Sequence, residues 1–356
     1  MSMELIGMER ILYNLKRKFA SYGYNEYKMN KFEEYDLYVK NKDFLISDNV
    51  ITFTDTNGKL LALKPDVTLS IIKNTKSSDG LRKVFYDENV YRVSSKSNGY
   101  KEIPQIGLEC IGELSDYNVA EVITLAKESL SEISCDYVLD VSPVGIIYNL
   151  VEGLNLNKAD KTAVYKLINE KNTHELVCLL EDNNIDNELI ITISKFINIY
   201  GTIDEVKEEL YKLFNGTSAE KLLNEFINII NVVGDGKHVK VDCSSCENVK
   251  YYNEITFKGY VNGVPKAVLS GGRYDGLLKI MGKNCGAIGF AIYPDEFDRL
   301  FIEQREFDVD VVLLYSDKTD VTTILQFIKN LTATGKTVTA LKKLPTNVTY
   351  KEIIKI

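Results

Sequence analysis

Residues 270–276 read Ser270-Gly271-Gly272-Arg273-Tyr274-Asp275-Gly276, the most informative short string in the chain. Three glycines in seven positions let a backbone approach a ligand or a neighbouring strand closely. Arg273 offers a planar, two-pronged donor suited to a carboxylate or a phosphate. The string is not the GxxxxGK[ST] loop that cradles a triphosphate. It also lacks the GxGxxG spacing that opens a dinucleotide-binding βαβ unit. Its plainest reading is a tight turn with an Arg273–Asp275 pair.

On the C-terminal side lies a second glycine cluster, Gly286-Ala287-Ile288-Gly289-Phe290. On the N-terminal side the pattern predicts strands at Val239–Val241, Tyr251–Tyr260 and Val264–Leu269, the last two joined by Asn262-Gly263, a strong hairpin signal. A similar hairpin, Val50–Phe53 with Leu60–Leu63, closes on Asn57-Gly58. Val84–Arg92, Gln105–Ile111 and Tyr137–Val141 read as further strands, the last ended by Pro143. Apolar residues at helical spacing (Leu5, Met8, Leu12, Leu15, Phe19) predict a helix over 4–22, stopped by Gly23. Asn118–Ile133 carries Val119, Val122, Leu125, Ala126 and Leu130 on one side, and also reads as a helix. From about 146 to 233 the period is helical, which marks a helical insertion. Val309–Tyr315, Val321–Leu331 and Thr337–Leu341 form a strand–helix–strand tail. Hairpins with helices grouped apart predict an α+β protein built on an antiparallel sheet. The expected domains are a core over 1–305 and a small α/β unit over 306–356.

Composition bounds the function. A chain of 356 residues, 45% apolar, has room for roughly two domains of about 150 residues. A net charge of −8 and a pI near 5.2 argue against an extended nucleic-acid surface, which needs clustered Lys and Arg. No run approaches the roughly 18 apolar residues of a membrane span, and no signal-peptide layout is visible. Six cysteines in such a chain are no disulfide framework. The expectation is a cytoplasmic protein. Cys243 and Cys246 form one CxxC, but a structural zinc site wants a second pair or added histidines. The chain has only His174 and His238, so no metal is expected. Two histidines also leave any acid–base chemistry to carboxylates, Arg, Lys or Tyr.

Polar residues inside apolar segments mark candidate binding groups. Asp66 and Thr68, in Leu63-Lys64-Pro65-Asp66-Val67-Thr68, stand at a strand-to-helix junction, where Asp66 suits an ammonium group or a helix cap. Gln105 and Glu109 are four apart in a strand and so share a face. Turned inward, Glu109 would need a cation; turned outward, it would meet water. One ring of Tyr251-Tyr252 must face inward, either as core or as a slot for a planar ligand.

Together these pieces resemble a known family. Leu61–Thr68, Val90–Gly112, Tyr251–Phe257, Ser270–Leu277 and Gly286–Ile292 follow the order and spacing of the class II histidyl-tRNA synthetase catalytic domain, over roughly residues 1–300. The resemblance implies a class II synthetase-like antiparallel sheet flanked by helices. Gly23-Tyr24-Asn25-Glu26 with Phe32-Glu33 looks like the first class motif, which builds the family's dimer interface, although Asn30 replaces its usual proline. A homodimer core is therefore expected.

The departures from the family are selective. Its Arg-x-Glu is Arg92-Val93-Ser94 here, so a carboxylate that helps hold the ATP base is missing. The following loop is one residue short, with Tyr100-Lys101-Glu102 where the family is Arg-rich. The Arg-Gly-Leu-Asp-Tyr-Tyr segment is replaced by Glu247-Asn248-Val249-Lys250-Tyr251-Tyr252, a charge reversal at its arginine. The closing Gly-Leu-Glu-Arg becomes Tyr293-Pro294-Asp295-Glu296, and only a gap would recover Arg299. Each lost cation is worth on the order of 2–4 kcal/mol in an adenylation transition state, so no catalytic residues and no cofactor are expected. By contrast, Asp66, Thr68, Arg92, Gln105, Glu109, Tyr251 and Tyr252 match the positions where the family grips histidine. Gly271, Gly272 and Arg273 are expected to be structural and near the ligand.

This pattern resembles the regulatory subunits of ATP phosphoribosyltransferase, synthetase paralogues of histidine biosynthesis. The resemblance implies a partner, the short-form catalytic subunit, in a hetero-octamer, with L-histidine as effector. It implies neither tRNA nor a membrane as partner. The short tail, about half of an anticodon-binding domain, agrees. A diverged histidyl-tRNA synthetase that still aminoacylates is the alternative.

Overall fold

In the computed structural model, residues 7–40, 50–75, 80–93, 99–246, 252, 254–301, 307–344 and 347–356 are described. The chain divides into two units, Met1–Leu300 and Phe301–Ile356.

The first unit is organised by a nine-stranded sheet. Its strands are β1 (Asn25–Glu26), β5 (Arg82–Val93), β6 (Tyr100–Gly112), β7 (Tyr137–Ser142), β8 (Tyr200–Gly201), β9 (Val239–Asp242), β10 (Thr256–Val261), β11 (Leu269–Arg273) and β12 (Gly286–Ile292). They lie in the order β1-β5-β6-β12-β11-β10-β7-β9-β8. Pairing is antiparallel except at β1·β5 and β7·β9. A smaller sheet, β2 (Phe32–Glu34), β4 (Leu60–Leu63) and β3 (Thr52–Thr54), with α2 (Tyr35–Lys40) directly after β2, holds the first hairpin, whose Gly58 takes φ +80 as its turn requires.

Alternate residues of a strand point to opposite faces, and the register sorts them. Phe85, Leu108, Phe290, Gly271, Phe257 and Val141 stand in one row across the sheet. Helices α1 (Met8–Ser21) and α4 (Asp116–Ile133) cover that face. Phe19 of α1 meets Phe85 and Phe290 with ring centroids 6.1 and 5.9 Å away. Leu130 of α4 comes so close to Gly259 that a Cβ there would lie 2.6 Å from it. The other face carries Val84, Glu109, Gly289, Gly272 and Thr256 in one row, and Tyr86, Gly107, Ala291, Ser270 and Lys258 in the next. Against its β5–β6–β12 part pack α3 (Thr68–Lys73) and α11 (Asp275–Ile280), which supply Leu69, Ile71, Leu277 and Leu278 to a core with Val84, Tyr86 and Ala287.

The predicted helices and most strands are present, with instructive shifts. The α1 stripe is Ile11, Leu15 and Phe19, and Gly23 stops it at φ +83 as expected. Leu5 lies outside the described residues. The hairpin predicted at Tyr251–Tyr260 and Val264–Leu269 is displaced: β10 starts at Thr256 and β11 at Leu269. Pro265 lacks the N–H a ladder needs, so the 262–268 segment turns instead. Residues 270–273 of the Gly-rich string are therefore part of a central strand that leads through Tyr274 into the helix at Asp275–Ile280, and the reading of a tight turn is corrected. At Gly271 a Cβ would lie 2.7 Å from the Phe257 ring, so only glycine lets these strands and side chains close up.

The helical insertion comprises α5 (Val144–Gly153), α6 (Lys158–Asn169), α7 (Thr173–Asp182), α8 (Asn187–Phe196), α9 (Ile203–Phe214) and α10 (Glu220–Val233), interrupted only by the unforeseen β8. The first unit closes with α12 (Pro294–Phe297). The second unit has β13 (Val309–Leu314), α13 (Val321–Ala333), β14 (Val338–Leu341) and β15 (Tyr350–Lys355), in a parallel sheet of order β14-β13-β15 around a buried Val311-Val312-Leu313. The last strand had no sequence signal strong enough to predict. Among the described residues, no helix is long and apolar enough to cross a membrane.

Candidate functional site

The site lies on the face of the sheet where β6 and β12 meet the start of α3. Pro65 ends the extended run after β4, and Asp66 turns its carboxyl back to accept the Leu69 N–H at 2.8 Å, capping α3. Two residues on, Thr68 donates its hydroxyl to Glu109 Oε1 at 2.7 Å. The Tyr274 hydroxyl donates to the other oxygen of the same carboxyl. Glu109 is only 2% exposed, and a Cβ at Gly289, its cross-strand neighbour, would overlap the carboxyl outright. The glycine exists to make room for the acid.

Burial in this setting pushes the Glu109 carboxyl up to about 8, against the pull of the Tyr274 and Thr68 hydroxyls. The expected cation partner is not what the structure supplies: among the described residues, the groups that donate to the Glu109 carboxyl are the Thr68 and Tyr274 hydroxyls. Asp66 is also raised by burial, with the Leu69 amide and Arg92 pulling the other way. Arg92, half-buried near the end of β5, donates Nε to the Pro65 carbonyl at 2.9 Å and so stands at the Asp66 junction. Gln105, 4% exposed, shares the Glu109 face as its spacing required.

Aromatic rings complete the surround. Tyr252 is partly buried over Gly272, where a Cβ would come within 2.6 Å of its ring. Tyr86 lies against Gly107, its hydroxyl 2.6 Å from where a Cβ would stand. Beyond them, Tyr293 and Ser270 share a hydrogen bond of 2.8 Å. Tyr252 precedes β10 rather than beginning it, and Tyr251 lies outside the described residues, as do Ser94 and 247–250.

The structure thus brings together Asp66, Thr68, Arg92, Gln105, Glu109, Tyr252 and Gly272. Gly271 and Arg273 point to the opposite face. There the Arg273 guanidinium is held by Asp275, with Nε–Oδ2 at 3.0 Å and Nη2–Oδ2 at 2.8 Å, and by Glu254. This is the structural pair the sequence allowed. Tyr274, Tyr86 and Gly289 were not singled out. Their signal is the alternation in β5, β11 and β12, which means nothing until the register is known.

The motif-spanning cysteines sit elsewhere. Cys243 and Cys246 are buried, Cys246 Sγ lies 3.2 Å from the Tyr165 carbonyl, and burial holds the Cys243 thiol well above its ordinary range. His238 instead stacks on Tyr137 and bonds Asp235 at 2.9 Å. Among the described residues no cluster of three His, Cys, Asp or Glu could hold a metal ion.

Chemically, two carboxyls in one poorly hydrated setting cannot both ionise cheaply. A ligand carrying an ammonium group relieves that cost, and Arg92 with Gln105 offers donors to a carboxylate.

Comparison with known proteins gives the family and the fold. A family model described as Histidyl-tRNA synthetase matches residues 3–297. The ATP phosphoribosyltransferase regulatory subunit of Caldanaerobacter subterraneus subsp. tengcongensis is 32% identical over 283 residues, 77% of this chain and 73% of that protein. Among solved structures, an ATP phosphoribosyltransferase regulatory subunit/histidyl-tRNA synthetase from Bacillus halodurans aligns with a TM-score of 0.80 at 21% identity, covering 100% of this chain and 98% of that one. A chain of the ATP phosphoribosyl transferase (HisG:HisZ) complex of Thermotoga maritima aligns at 0.63 and 19% identity, covering 82% and 98%. The class II synthetase-like sheet expected from the motifs is the fold these structures share.

Proposed function

The chain belongs to the histidyl-tRNA synthetase family, among the ATP phosphoribosyltransferase regulatory subunits, and from that premise we propose that it binds L-histidine without consuming it and passes that binding on to a short-form catalytic subunit. In this reading the chain performs no chemistry. It activates its partner and carries histidine feedback on the first step of histidine biosynthesis.

The observation that carries the reading is the pairing of Asp66 with the buried, hydroxyl-held Glu109 on a glycine-cleared sheet face. Asp66 and Glu109 take the α-ammonium, Arg92 and Gln105 the carboxylate, and the Tyr252 ring flanks the imidazole. The segments that would hold ATP in a synthetase differ at Glu102 and Glu296, which put acids where triphosphate charge needs cations. Glu102 accepts from Asn89 and Tyr91 in the hairpin.

Feedback then follows from linkage: histidine must bind the less active state of the complex more tightly. A 100-fold preference corresponds to roughly 2.7 kcal/mol of coupling. The test mixes the purified chain with a short-form catalytic subunit. Co-elution on gel filtration, phosphoribosyl transfer that appears only in the mixture, and inhibition by histidine are expected. A transferase that stays inactive, with no complex formed, ends the proposal. ATP–pyrophosphate exchange driven by histidine would establish the diverged synthetase instead.

A further inference from the structure

Lys64 is the one lysine fully buried among the described residues, at 1% exposure, yet it touches none of the groups assigned to the ligand. Its Nζ lies 2.5 Å from Glu88 Oε2 on β5. Glu88 Oε1 also accepts the Met29 N–H at 3.2 Å. The backbone around Lys64 is tied on both sides: its N–H donates to the Lys31 carbonyl at 3.2 Å, and its carbonyl accepts from Tyr91 at 2.9 Å. The next carbonyl, Pro65, accepts from Arg92. Proline has no N–H of its own to pin the chain, so the segment that delivers Asp66 depends on its neighbour for anchorage.

An ion pair with one fully buried partner, the Glu88 side chain being 18% exposed, is weak evidence of stabilisation. Replacing both partners by apolar residues is often neutral, because the desolvation cost of the charges disappears with them. What such a pair does supply is a unique register for the elements it joins. Glu88 faces Gln105 across β5 and β6, two residues along the same face from the Tyr86–Gly107 row. The pair therefore fastens the Lys64-Pro65-Asp66 segment to the very strand that carries Arg92.

We infer that Lys64 and Glu88 are positioning residues for the pocket, fixing where the Asp66 carboxyl stands relative to Arg92 and the start of α3. The inference rests on the histidine reading only for the identity of the ligand. The test is the paired substitution Lys64→Met with Glu88→Met, which removes both charges together. The melting temperature, amide exchange at Leu69 and the histidine affinity are then measured in the full chain.

The expected result is a melting temperature within a few degrees of the parent. The Leu69 amide, which donates to Asp66, should exchange at least about tenfold faster while amides of β10 stay protected. Histidine affinity should fall by about tenfold or more. Lys64→Arg, which keeps the charge pair, should retain the Leu69 protection. Unchanged exchange at Leu69 in the paired variant overturns the inference, and so does a paired variant that fails to fold, since the pair would then be a stability contact. Faster Leu69 exchange in a chain whose parent does not bind histidine would uphold the pair and remove the effector reading, so the two failures are separable.

Discussion

On the helix-covered face of the nine-stranded sheet, the row Phe85, Leu108, Phe290 and Phe257 is filled by aromatic and aliphatic side chains under Phe19 and α4. One residue along each strand, the opposite row runs Val84, Glu109, Gly289 and Gly272. The first row buries large apolar side chains and leaves nothing for a ligand to recognise. The second gives up side-chain volume at two glycines in order to bury a carboxyl. In the proposed reading, stability and recognition are thus separated by one step of the strand pleat, on the same backbone. Binding on one face can be altered by changes that leave the other face packed.

The most severe way to break that separation is Gly289→Ala. Its Cβ would occupy the space of the Glu109 carboxyl, with backbone on the other side, so Glu109 must leave. Histidine binding measured by calorimetry should fall by more than about 100-fold. Assembly with the catalytic subunit should persist if the rest of the sheet is unaffected. Leu108→Ala tests the other face. It removes a fully buried side chain and should cost about 2–5 kcal/mol in denaturant unfolding, while the folded fraction still binds histidine within about twofold of the parent. A loss of binding equal to that of Gly289→Ala would show that the faces are not separable.

Glu109→Ala is the intermediate case: weaker histidine inhibition of the assembled transferase, with assembly intact. If inhibition is unchanged, the effector sits elsewhere. Glu109 also predicts a pH dependence. Its carboxyl, ordinarily near 4.5, is pushed by burial to about 8 in the folded chain. The folded state therefore keeps a proton that the unfolded state has already lost. That contribution to stability is fully present below about 4.5 and is lost as the pH rises through about 8. Melting temperatures should decline across that window in the absence of ligand, and Glu109→Gln should flatten the decline. The smallest expected effect is at Tyr100, 80% exposed at the start of β6. Tyr100→Ala should change stability by no more than about 0.5 kcal/mol and leave histidine affinity unaltered.

The helices, the helical insertion and the glycine strings were legible because they rest on local periodicity and on single-residue conformational limits. Residues 118–133 and 206–214 needed only their apolar spacing to be read. The hairpin around Asn262-Gly263 was misjudged by several residues, because a proline at 265 outweighs the strand propensity of its neighbours. Within the site, Asp66, Thr68, Gln105 and Glu109 stand out in sequence as polar residues in apolar surroundings. Tyr274 and Gly289 carry no such contrast, and Arg273, which carries the strongest, faces away from the pocket.

By itself the sequence determined the kind of sheet, the polar residues Asp66, Thr68, Gln105 and Glu109 set in apolar segments, and an acidic charge balance. Those follow from side-chain chemistry and from spacing along one segment. Only the tertiary structure decided which of those residues meet. Strand register aligned Glu109 with Gly289, and the packing of α11 brought the Tyr274 hydroxyl to a carboxyl 165 positions away in sequence. A shift of one residue in any of these strands would turn the same side chains to the other face.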